Sequence, residues 1–210
     1  MSAPGEAPEY WQRARRALMR RDPVLAGIMR AHPRVAMVRR GEPFMTLARA
    51  IVGQQISVKA AQSVWDRFAA AVGEMTPPAV RALDTAQMRA CGLSGRKCEY
   101  IADLALRFDT GLLHAARWPE MPDEAVIDEL VQVRGIGRWT AEMFLMFNLL
   151  RPDVFPLADL GLQSALRRAY FGGRKGTLAR MRRLGEGWAP WRSVATWYLW
   201  RSLDPVPVEY

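Results

Sequence analysis

Cysteine is almost absent: Cys91 and Cys98 are the only two among 210 residues. Two thiols cannot complete a four-thiolate zinc or iron–sulfur site, so no such cluster is expected. Both are read as reduced packing residues of a cytosolic chain. Long apolar runs are absent too; none approaches the ~18 residues that cross a bilayer. The opening stretch, MSAPGEAPEYWQRARR, lacks the apolar core of a secretory signal. Alternation of apolar and polar residues never lasts beyond a few positions, which argues against strands. There is no internal repeat and no low-complexity tract.

What is present points to a folded helical protein that meets a polyanion. Half the residues are hydrophobic and eight are Trp, enough for a sizeable core in one domain or two small lobes. The net charge is +9, and it is uneven. Residues 1–40 carry nine Lys/Arg against three acids, residues 165–210 nine against three, and residues 41–164 twelve against fifteen. Positive ends suit a polyanion partner, although a solvated basic surface would look the same. A membrane surface fits less well, because no basic helix shows a clean apolar face.

Helix signals run throughout and predict about ten short helices in an all-α fold. The first spans about Pro8 to Arg21, with Trp11, Ala14 and Leu18 on one face. Asp22-Pro23 caps a short helix to about Ala31, stopped by His32-Pro33. A helix from Phe44 ends near Gln54 and Gln55. Ser57, Thr76, Asp84, Ser94, Asp159 and Thr177 each stand where an N-cap is needed. Pro122-Asp123-Glu124 opens a helix to about Gln132. Pro190 opens the last.

The most informative stretch is Leu130 to Gln163. Its Gly135-Ile136-Gly137 turn joins two helical patterns, with Leu130, Val133, Ile136 and Ala141 placed to pack them. Glycine lets the backbone approach closely. Amides here, beside the N-terminus of the helix from Arg138, suit a phosphate oxygen. Such a grip positions a duplex and reads no sequence. An ordinary helix–turn–helix corner has the same glycines. Asp159 stands at a predicted helix start, where dipole and amides favour negative charge; a plain N-cap reads identically.

The register of Leu130, Gly135-Ile136-Gly137, Ala141 and Asp159 resembles the helix-hairpin-helix (HhH-GPD) DNA glycosylases. Within them, GIGRWTA followed by DVFPLADLGLQ is most similar to the 3-methyladenine DNA glycosylase II branch. IVGQQISVKAAQSV, LSGRKCEYIADLA and WAPWRSVATWYLW also resemble family segments, so the likeness covers roughly residues 44–203. It implies a two-lobed helical fold with a DNA-binding cleft between the lobes. One lobe would comprise residues 1–43 plus 150–210, basic and built from both termini. The other would comprise 44–149 and end in the hairpin. The branch's N-terminal β domain has no counterpart here.

The resemblance assigns roles. Asp159 is the catalytic carboxylate, stabilising positive charge on the sugar or activating water. Trp139 occupies the position where strand-cutting relatives carry a Schiff-base lysine. It implies a monofunctional enzyme that uses water and leaves an abasic site. Trp139 and Trp200 would wall the base pocket, where π-faces favour electron-poor methylated bases. Met143 and Leu160 stand where well-known relatives place tyrosines, implying a roomier pocket. Gln55 is the wedge that fills the hole left by a flipped base, and Gln54 braces its loop. Arg134, Gly135, Ile136, Gly137, Arg138 and Thr140 would contact DNA. A monovalent ion (Na+ or K+) could sit on the carbonyls of Val131, Val133 and Ile136. Lys59 and Lys97 suit either a phosphate or solvent. The implied activity is excision of 3-methyladenine and related bases from double-stranded DNA by a cytoplasmic monomer needing no cofactor. The rivals are a non-catalytic hairpin clamp and an oxidised-base glycosylase.

Overall fold

The structure is a computed structural model, and it describes residues 7–33 and 36–203. Residues 1–6, 34–35 and 204–210, which belong to the stretches expected to form the terminal lobe, lie outside the described residues. Among the described residues there are twelve helices and no strand. They are α1 (Trp11–Arg21), α2 (Pro23–Ala31), α3 (Pro43–Gly53), α4 (Val58–Val72), α5 (Pro77–Arg81), α6 (Thr85–Ala90), α7 (Gly95–Asp109), α8 (Asp123–Leu130), α9 (Arg138–Phe147), α10 (Leu160–Tyr170), α11 (Leu178–Glu186) and α12 (Arg192–Leu203). None is long and apolar enough to cross a membrane.

Local chemistry sets most of the starts. Asp22 accepts from the amides of Val24 and Leu25, and Ser57, Thr76, Ser94, Asp159 and Thr177 each accept from the amide three residues on. Asp84 and Gln87 form a reciprocal capping box. A cap of this kind typically contributes about 1 kcal/mol. Several boundaries differ from the sequence reading, and three of them have a local reason. α1 begins at Trp11, after a turn in which its amide bonds the Pro8 carbonyl. α8 ends at Leu130, with Gln132 in the turn that follows. α12 begins at Arg192, because Trp191 is held in a turn on the Trp188 carbonyl.

The chain divides into two compact units, and the division falls inside α9. One unit takes the chain up to Arg40 and again from Leu145; the other takes Gly41–Phe144. The first is organised on α12, which packs against α1, α2 and α10. Every residue from Ser193 to Leu199 is buried, so α12 has no solvent face, as a central helix requires. Trp11 meets Trp197 edge-on at 5.4 Å and stacks on Tyr198 at 5.7 Å. Asp22, also buried, takes four donors: the Val24 and Leu25 amides on Oδ1, and the Tyr170 hydroxyl and Trp188 indole on Oδ2. A buried carboxylate is tolerated only with its lone pairs filled in this way.

The second unit is organised on α7, which packs against α3, α5 and α6 and buries Cys98, Ile101, Leu104 and Ala105. Phe44, Phe108, Trp118 and Phe144 form a chain of edge-to-face contacts at 5.2–5.8 Å. Both cysteines are free thiols buried in this unit. Burial pushes the Cys98 thiol above its ordinary value, which suits packing and not reactivity.

Candidate active site and nucleic-acid interface

In the α12-centred unit, the segment 151–159 leads into α10 and delivers Asp159. The start of α12 holds this segment. Ser193 Oγ donates to the Arg151 carbonyl at 2.6 Å and accepts the Val154 amide at 2.9 Å. Arg192 forms a two-pronged pair with Asp153, both bonds 2.8 Å. Two turns further along α12, Trp200 donates its indole N–H to Asp159 Oδ1 at 2.8 Å. The same oxygen accepts the Leu162 amide at 2.5 Å. One rigid, buried helix therefore fixes both ends of the segment and aims its carboxylate.

Gly161 makes this approach possible. A Cβ there would stand 3.1 Å from Asp159 Oδ1 and 3.4 Å from Trp200 Nε1. Trp200 in turn stacks on Phe147, with centroids 6.1 Å apart and planes at 21°. Arg40 lies over the Phe147 ring at 4.2 Å, its amide bonds the Phe147 carbonyl, and its carbonyl accepts from Asn148 Nδ2. Sequence reading missed Phe147, Arg40 and Gly161. The third carried a signal: glycine inside a helix costs about 1 kcal/mol and flags a close approach. Asp159 and Trp200 are half-buried, and Leu160 is 76% exposed beside the carboxylate. The Asp159 carboxylate thus takes two N–H donors at the positive end of a helix.

The hairpin lies in the α7-centred unit. After α8, residues 131–137 form the turn, and α9 follows. Leu130, Val133, Ile136 and Ala141 are all buried. Gly135 has φ +81°, and a Cβ there would fall 2.2 Å from the Tyr100 ring. The chain itself therefore demands that glycine. Gly137 is different: it is exposed, its φ is ordinary, and a Cβ would meet nothing within 4 Å.

Other assigned residues are placed as follows. Trp139 (38% exposed) and Met143 lie four apart on one face of α9, and Thr140 stands between them in the sequence. Gln54 caps α3 and donates its side chain to the Gly135 carbonyl at 2.8 Å, while Gln55 is exposed with φ +60°. Lys59 is exposed.

Three of these residues have partners within the protein. Arg138 does not offer a free guanidinium: two prongs bond Glu124 at 2.6 and 2.9 Å and its Nε bonds Glu142 at 3.2 Å. The Arg134 amide does not point at solvent but donates to Asp103 Oδ2 at 2.8 Å. Lys97 is neither a bare cation nor solvated surface; its Nζ donates to the Val52 carbonyl at 2.7 Å.

The sequence model of the HhH-GPD superfamily of base excision DNA repair proteins matches residues 48–190, and the chain belongs to that superfamily. Two relatives illustrate the likeness. A putative DNA-3-methyladenine glycosylase of Bacillus subtilis is 34% identical over 188 residues, 86% of this chain and 66% of its own length. DNA-3-methyladenine glycosylase 1 of Schizosaccharomyces pombe is 36% identical over 165 residues, 77% of this chain and 72% of its own. The chain thus spans about two thirds of the length of these relatives. Among solved structures, a DNA-3-methyladenine glycosidase of Bacillus halodurans superposes with a TM-score of 0.84 at 30% identity, covering 97% of this chain and 93% of that one. The Schizosaccharomyces pombe 3-methyladenine DNA glycosylase in complex with abasic DNA gives 0.76 at 32% identity, covering 93% and 100%.

Proposed function

We propose that this chain is a monofunctional DNA glycosylase of base excision repair that hydrolyses the N-glycosidic bond of alkylated bases in duplex DNA. The observation that carries the reading is Asp159, a half-buried carboxylate at the start of α10 aimed by the Trp200 indole. Both relatives described above are named for 3-methyladenine, which supports that substrate class.

The chemistry follows from the residues. Alkylation leaves a base cationic or electron-poor, hence a good leaving group. As the bond to the sugar breaks, positive charge grows on the sugar, and the Asp159 carboxylate stabilises it. Water adds to the sugar carbon and the base departs, leaving an abasic site. Trp139 has no amine to form a Schiff base, so the sugar–phosphate strand stays intact. An indole face, whether of Trp200 or of Trp139, attracts a cationic base. Gln55 fills the stack that the flipped base leaves.

The exposed Gly137, with open space where a Cβ would be, supports close approach by a DNA phosphate to the hairpin amides. Arg134 and Thr140 flank that approach through their side chains, and Arg138 through its backbone. The oxygens of Val131, Val133 and Ile136 suit a hard monovalent cation such as Na+ or K+; the Val133 carbonyl takes the Ile136 amide at 3.1 Å and keeps a second lone pair. Such an ion would neutralise phosphate charge at the turn. The reading includes a cytoplasmic monomer with no redox cofactor. Met143 and the exposed Leu160, each in its own unit, are softer side chains than a tyrosine would be.

A duplex with one alkylated base tests the class. Strand cutting that appears only after alkali is the result expected. Cutting without alkali would indicate a lyase, and no base release at all would leave a hairpin clamp.

A further inference from the structure

Helix α7 carries four side chains at one helical spacing, Lys97, Tyr100, Asp103 and Arg107. Three of them reach the two segments that the proposed function brings to DNA. Lys97 Nζ donates to the Val52 carbonyl in the last turn of α3 at 2.7 Å. The Tyr100 ring fills the space that a side chain at Gly135 would need. Asp103, held by Arg107 at 3.1 and 3.2 Å, accepts the Arg134 amide at 2.8 Å. A further bond closes the frame: Gln54 Nε2 donates to the Gly135 carbonyl at 2.8 Å.

Gln55 follows directly, exposed and with φ +60°. For a residue with a Cβ that conformation costs about 1–2 kcal/mol, and it persists only where the surroundings hold it. Gln54 has one tether, to the hairpin. The other tether is Lys97, drawn onto one of the carbonyls that α3 leaves open at its end. Burial lowers the Lys97 pKa, so the ammonium has given up part of its water for this contact.

We infer that Lys97 is a positioning residue that sets Gln55 for insertion, with α7 as the shared frame that registers the insertion loop against the hairpin turn. The inference rests on the reading of Gln55 as the group that fills the stack. Lys97 acts through the loop and touches neither the base nor a phosphate.

A double-mutant cycle tests it, using single-turnover excision from a duplex bearing one alkylated base. Lys97→Met should slow excision about tenfold, the size of one charge-assisted hydrogen bond. The defect should shrink when the base lies opposite an abasic site, where flipping costs less. Lys97→Met combined with Gln55→Ala should be no slower than Gln55→Ala alone. Lys97→Gln, which can still donate to Val52, should recover part of the rate. Should Lys97→Met fail to fold, Lys97→Gln combined with Gln55→Ala carries the same comparison. Multiplicative slowing in the double variant would overturn the inference. So would a drop of about one in the salt slope of binding on losing Lys97, the mark of a direct phosphate contact. If Gln55→Ala leaves excision unchanged, the insertion role itself fails and the inference falls with it, whereas a slow Gln55→Ala beside an unaffected Lys97→Met defeats the inference alone.

Discussion

Trp200 donates its indole N–H to Asp159 Oδ1 at 2.8 Å, so the indole and the carboxylate are one hydrogen-bonded unit. Replacing Trp200 by Phe keeps a stacking face and removes the donor. Excision at saturating DNA should fall by about ten- to a hundredfold, the value of a hydrogen bond to a charged group, while duplex affinity stays unchanged. Gly161→Ala should show a milder form of the same defect, since its Cβ would crowd both partners. Rates and binding isotherms measured on the same variants check this.

The two hairpin glycines should behave differently. Gly135→Ala combines a left-handed backbone with a collision against Tyr100, and should lower the unfolding free energy by about 1–3 kcal/mol. Gly137→Ala meets nothing within the protein, so its melting temperature should match the parent's. Its affinity for duplex DNA should nonetheless fall. Thermal melts alongside DNA titrations separate the two.

Asp22→Ala removes the acceptor shared by Tyr170 and Trp188 inside the α12-centred unit. It should cost about 3 kcal/mol, or on the order of 10 °C in melting temperature. Below the melting range the variant should still excise bases, because Asp22 is remote in role from the chemistry. Denaturant titration and a low-temperature assay check both halves.

Alkaline pH should destabilise the fold through buried phenols. Burial, and then the bond to Asp22, push Tyr170 well above its ordinary 10.0, and burial alone does the same to Tyr10, whose hydroxyl donates to the Leu150 carbonyl. The folded chain thus keeps protons that the unfolded chain releases. Their stabilisation is complete below pH 10.0 and is lost as pH rises beyond it. Tyr170→Phe should flatten that decline, as read from unfolding free energies between pH 8 and 11.

What could be read from the chain alone follows the range of each interaction. Caps such as Asp84 on Gln87 or Ser94 on Lys97 span three residues, so the helix starts were legible. The hairpin was legible because its glycines and apolar residues stand in one short stretch. Lys97 binding Val52 across 45 positions, and Gln54 binding Gly135 across 81, leave no local trace. Arg138 was assigned to DNA contact from the hairpin motif, and its side-chain partner Glu124 lies 14 residues back, outside that motif. Phe147 was overlooked since nothing in its own sequence neighbourhood points to Trp200 or Arg40.

Asp159→Asn tests the central claim most directly. The amide keeps an oxygen for the Leu162 and Trp200 donors and loses the charge, so fold and DNA affinity should survive. Excision of an alkylated base from a duplex, read as alkali-dependent strand cleavage, should fall on the order of a thousandfold or more. An Asp159→Asn protein that excises at the parental rate would contradict the account.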